Sequence, residues 1–153
     1  MNERANRDCG ELVEILHEEC VAYRALLTLS RAQKGAFDEG GTAALTKIIA
    51  RKQEVINRLE NLDGRLRPYT SQWHATIEAL PGQAKRLVEG SLSDISTLLH
   101  EIIGSEKEIE ETVTAARDRI AGEARSISGG LKAAMAYRRG ELAATGSLLD
   151  REE

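Results

Sequence analysis

Aromatic residues are nearly missing from this chain, which has one Trp, one Phe and three Tyr in 153 residues. Five rings (Trp73, Phe37, Tyr23, Tyr69 and Tyr137) are few for a compact enzyme core, so burial has to rest on Leu, Ile, Val and Ala. Cysteine occurs only at Cys9 and Cys20; on one helix, eleven residues separate them by roughly 16 Å, too far to pair within a chain. Two unpaired thiols fit a reducing compartment. A run of about 18 apolar residues is also missing, so no membrane-spanning helix is expected. The opening MNERANRDCGE has no apolar core of the kind a signal peptide needs, and the expected location is the cytoplasm. An excess of positive charge is absent as well: 21 Lys+Arg against 25 Asp+Glu give a net −4. That balance excludes a mainly electrostatic nucleic-acid binder and argues against adsorption to an anionic membrane.

What remains is aliphatic and charged, 41% hydrophobic with 30% charged residues, the composition of long amphipathic helices in a single domain. Apolar spacing predicts a first helix over about 8–36, with Leu12, Leu16, Cys20, Tyr23 and Leu27 on one face. The Gly40-Gly41 pair ends it, and Thr42 is the expected N-cap of the next element. A second helix over about 43–66 carries Leu45, Ile48, Lys52, Val55, Leu59, Leu62 and Leu66 at alternating steps of three and four, a heptad seam with one polar intruder. Pro68 is expected to end it. Residues 67–83 are the least regular, with room for a short helix over 70–80 that would place Trp73, Ile77 and Leu80 together before the Pro81-Gly82 turn.

The third stretch, about 84–127, repeats Val88, Leu92, Ile95, Leu99, Ile102, Glu106, Ile109, Val113, Ala116 and Ile120 without a slip. An element this long needs partners along its length, which the two shorter helices can supply. The expected fold is therefore all-α: an elongated antiparallel three-helix bundle or coiled coil over residues 1–127, with a flexible C-terminal tail over 128–153. Gly90, Gly104 and Gly122 interrupt the long helix, either as tolerated weak points or as places of close backbone approach; the first reading is favoured. Ser126-Ile-Ser-Gly-Gly130 is expected to break it. Beyond, Lys132, Arg138 and Arg139 face only Glu141 over residues 128–149, a local +2 on an acidic protein. The tail pieces are too short to persist as isolated helices.

No catalytic or metal chemistry is expected. His17 and Cys20 stand three apart, but zinc needs three or four ligands and no further cluster supplies them. Glu14-Ile-Leu-His17 has the Glu-x-x-His spacing of di-metal bundles without its partner motif. Gly40-Gly41 and Gly129-Gly130 lack the context of phosphate loops. Lys52 and Glu106 are polar positions on apolar seams. They are either a register device or a seam locally open to water, or a sign that the seams meet a partner rather than only each other, and the spacing does not separate these readings.

Three segments carry a family likeness. ELVEILHEECVAYRALLTLSRAQKGAFDEGGTAALTKII, ARKQEVINRLENLDGRLRP and the tail LKAAMAYRRG…GSLLDREE resemble, respectively, the opening helix and turn, the amphipathic second helix and the tail of the FlgN-type flagellar type III export chaperones. The resemblance implies a cofactor-free, non-enzymatic cytoplasmic protein. It would bind the terminal helices of hook-associated (hook–filament junction) proteins, prevent their premature assembly and deliver them to the flagellar export apparatus. It also implies that the tail serves cargo, which makes Leu131, Met135, Leu148 and Leu149 the cargo-binding candidates, and that Tyr137 docks at the export gate. The extra glycines of this tail depart from the family pattern. The rival expectation is a structural coiled-coil adaptor, a homo-oligomer in which the heptads saturate one another and the tail is dispensable.

Overall fold

The computed structural model describes the backbone of residues 2–151 and the side chains of residues 3–4 and 6–140. Four helices make it up: α1 (Asn2–Glu39), α2 (Thr42–Thr70), α3 (Trp73–Glu78) and α4 (Gly82–Arg151), with no strand among the described residues. The protein is thus all-helical. It divides into two compact units, Met1–Ile109 and Glu110–Glu153, whereas the sequence reading sets the division at residue 127.

The turn between α1 and α2 explains itself. Gly40 has φ +73°, a conformation that costs L side chains and suits glycine. Its N–H bonds Phe37 O at 3.1 Å while Gly41 N–H bonds Ala36 O at 3.0 Å, the two reversed bonds of a Schellman closure. The expectation of Thr42 as N-cap is corrected: Gly41 fills that place, because its carbonyl accepts the first helical N–H, from Leu45, at 2.9 Å, and Thr42 is already helical.

Two further boundaries differ from the sequence reading. Pro68 lies inside α2, which runs on to Thr70. A proline removes one donor and crowds the carbonyl four residues back, here that of Gly64, without ending the helix. The end is then held by Ser71 N–H on Arg67 O (3.2 Å) and by the Tyr69 hydroxyl, which donates to Glu11 Oε2 at 2.8 Å. Likewise α4 does not break at Ser126–Gly130 but continues through it. Glycine costs about 1 kcal/mol of helix propensity, yet keeps both backbone hydrogen-bonding groups, and the flanking Glu-Ala-Arg and Leu-Lys-Ala-Ala-Met segments are strong helix formers. The short third helix spans Trp73–Glu78, narrower than expected.

In the first unit, Leu12, Leu16 and Cys20 of α1 form the core with Val88 and Ile95 of α4. Leu66 and Tyr69 of α2, with Trp73, Ile77 and Leu80, close over it. Leu27, Leu59, Leu62, Ile102 and Ile109 are also buried. Polar contacts fix the directions of the helices. Arg24–Asp94 (3.9 Å), Arg31–Glu101 (3.5 Å) and Lys34–Glu108 (2.8 Å) advance together along α1 and α4. Glu11–Tyr69, Glu18–Arg65 and Gln33–Lys52 run in opposite senses along α1 and α2. A Cβ placed at Gly90, Gly104 or Gly122 would meet nothing within 4 Å, as expected of tolerated weak points.

Candidate functional site

Lys52 and Glu106, the two polar intruders on apolar seams, meet. The Lys52 ammonium pairs with Glu106 Oε1 and donates to Gln33 Oε1 at 2.7 Å, while the Ser30 hydroxyl donates to the same Glu106 oxygen at 2.6 Å. Burial alone would raise the Glu106 carboxyl, but the bonds from Lys52 and Ser30 and the Lys52 charge outweigh it and hold the group below the ordinary carboxylate range. The alternative left open by the spacing is thereby decided at this point: the two seams supply each other's counter-charge. Ser30 and Gln33 were not singled out from the sequence, although Ser30 stands three residues after Leu27 on the buried face.

A second buried acid was also missed. Glu19 is buried on α1, with Oε1 accepting no hydrogen bond among the described residues. Burial, then the hydrogen bond and charge of Asp63, raise its carboxyl to about 7. Its signal was the step of three from Leu16, which sets it on the same stripe.

The reactive candidates do not come together. Cys20 is buried, and its thiol, raised mainly by burial, donates to Ser91 O at 3.5 Å, while His17 is exposed. Among the described residues no group of three or more His, Cys, Asp or Glu is placed to hold a metal. A cleft of about 680 Å³ in the first unit is lined by Arg4, Asp8, Cys9, Leu12, Tyr69 and Leu80, among others. Its polar lining is an arginine, an acid, a thiol, the Asn6 amide and the Tyr69 and Thr76 hydroxyls.

The second unit is different in kind. Every described residue from 117 to 140 is exposed, apolar ones included. Leu131 is 60% exposed, Met135 49% and Tyr137 71%, and with Ala134 and Arg138 they line a shallow depression of about 400 Å³. Three of the five sequence candidates therefore lie together within two turns of one helix. The other two, Leu148 and Leu149, lie outside the residues whose side chains are described. Upstream, Ile120 and Ile127 are likewise open to water. Aliphatic surface at this density is unusual for a helix face that has no partner.

Fold and site together define a class: an all-helical protein that spends its polar chemistry on helix registry and leaves an apolar helix face uncovered. The model of the family described as FlgN protein matches residues 8–144, and the chain belongs to that family. No curated protein and no solved structure matches it. The family is one of flagellar export chaperones, and a general role in flagellar export follows from membership. Among the described residues no helix is long and apolar enough to cross a membrane.

Proposed function

We propose that the protein is a cytoplasmic chaperone that binds the terminal helices of hook-associated proteins, keeps them from assembling early and delivers them to the flagellar export gate. In this reading an antiparallel three-helix bundle is the scaffold and residues 128–153 are the cargo segment. Leu131, Met135, Leu148 and Leu149 supply the apolar contacts and Tyr137 the contact at the gate. The observation that carries the reading is the exposure of Leu131, Met135 and Tyr137 on one helical segment, in a member of a flagellar chaperone family. An amphipathic cargo helix would cover this face by helix-in-groove packing, and the cost of ordering a weak segment would keep binding reversible.

A calorimetric titration of the full chain with a hook-associated protein's terminal helix tests it. Leu131→Ala with Met135→Ala should weaken binding about tenfold or more, since each truncation removes most of a side chain that the cargo would bury. Tyr137→Ala should leave that affinity unchanged and lower export in a secretion assay. Deletion of 128–153 should abolish binding; a deletion that binds as tightly as the full chain refutes the reading and moves the cargo surface elsewhere.

A further inference from the structure

We propose that the open face of α4 takes a helix flanked by acidic side chains, and that this helix follows the face along an eleven-residue repeat. The proposal rests on the chaperone reading above and deepens it by stating the chemistry of the bound helix. Two features of the second unit carry it. The first is period. Through Ile120 the apolar residues of α4 keep a seven-residue repeat: Val88, Ile95, Ile102, Ile109 and Ala116 are seven apart, as are Val113 and Ile120, and the first four are buried. Beyond Ile120 the repeat changes. Ala116 and Ile127, Ile120 and Leu131, and Ala124 and Met135 are each eleven apart. Sustaining seven there would bring Glu123 and Gly130 onto the stripe in place of Ala124 and Leu131. A seven-residue repeat favours left-handed supercoiling, whereas eleven residues make three turns with the opposite slight drift. A helix that covers this face therefore does so with a packing unlike that of the first unit.

The second feature is charge. Residues 117–140 carry six basic groups and two acids, Asp118 and Glu123, a net +4; the whole chain is −4, so the remaining residues hold −8. At 100° per residue, Arg117, Lys132 and Arg139 border one side of the stripe and Arg138 falls on it. All four are exposed. A second copy of the same segment would set +4 against +4, so self-pairing here is opposed, and a helix bearing Glu or Asp beside its apolar stripe is favoured.

The test uses the full chain and synthetic amphipathic helical peptides with Leu and Ile on an eleven-residue repeat, one flanked by Glu and one by Lys, titrated calorimetrically. The Glu peptide should bind about tenfold tighter at low salt, a few exposed charge pairs summing to that ratio, and the ratio should shrink as salt rises. Arg117→Glu with Lys132→Glu and Arg139→Glu should reverse the preference. A Glu-flanked peptide of the same composition on a seven-residue repeat should bind more weakly than the eleven-residue one. Equal binding of Glu and Lys peptides, no reversal in the triple variant, or self-association through this face in sedimentation overturns the proposal. If a hook-associated terminal helix nonetheless loses affinity with Leu131→Ala and Met135→Ala, the cargo-segment reading survives that failure. If neither peptide nor cargo helix responds to those substitutions, both fall.

Discussion

The Lys52–Glu106 contact makes an asymmetric prediction that a simple surface ion pair would not. The Lys52 side chain is only 13% exposed, whereas that of Glu106 is 43% exposed. Removing the acid strands an ammonium with little access to water. Removing the base leaves a carboxylate that still has the Ser30 hydroxyl at 2.6 Å and solvent. Glu106→Gln should therefore cost more, about 2–3 kcal/mol, toward the level seen for a broken buried pair. Lys52→Met, which keeps the apolar stem, should cost about 1 kcal/mol or less. The double variant should be no less stable than Glu106→Gln alone, giving a coupling in the cycle at least as large as the cost of Lys52→Met. The pH dependence has a fixed sign. The Glu106 carboxyl is held below its ordinary 4.5 in the folded state, so the pair's contribution is full above that value and fades as pH falls through the lowered one. Lys52→Met should shrink that acid limb, leaving only what the Ser30 bond sustains. Urea unfolding at constant m measures all of this. Strictly additive single variants, or equal costs for the two, would refute the reasoning.

Glu19 should give a pH dependence of opposite sense. Its carboxyl is raised from 4.5 to about 7, so the folded state keeps a proton that the unfolded chain has lost, and stability falls as pH rises across that interval by on the order of 3 kcal/mol. Glu19→Gln should flatten the curve and stabilise the protein at pH 8; an unchanged slope in urea titrations from pH 5 to 8 would count against the buried acid. The glycines should split by backbone conformation. Gly40→Ala should destabilise by about 1 kcal/mol or more because its φ is +73°, while Gly90→Ala should raise the melting point, by up to about 1 kcal/mol of stability, because the added methyl enters open space.

Much of the fold is legible in spacing. The steps from Leu12 to Leu27 and from Val88 to Ile109 mark faces that are largely buried, because a helix has no other way to hide such residues. The boundaries were less legible, and for definite reasons. Pro68 reads as a stop, but the Tyr69–Glu11 bond and the Ser71 N–H on Arg67 O hold the last turn. Ser126–Gly130 reads as a break, but glycine weakens a helix without removing a hydrogen bond. Thr42 reads as a cap because side-chain chemistry favours it, yet Gly41 already occupies the capping geometry. Helical spacing and family likeness single out Leu131, Met135 and Tyr137, and the structure leaves all three exposed on one segment of α4. The meeting of Lys52 with Glu106 was not legible, since two polar positions on separate seams carry no sign of which residue faces which. Glu19 was passed over because its neighbour Cys20 also fits the apolar step.

The most direct test of the whole account is hydrogen exchange on the full chain, alone and saturated with a hook-associated protein's terminal helix. Residues 110–140 form helix with little packed over them, so their amides should exchange quickly in the free protein and gain protection with cargo. Amides of α1, α2 and α3 should change little. Protection gained in those three helices, with 110–140 exchanging as before, would contradict the assignment of the cargo face to α4.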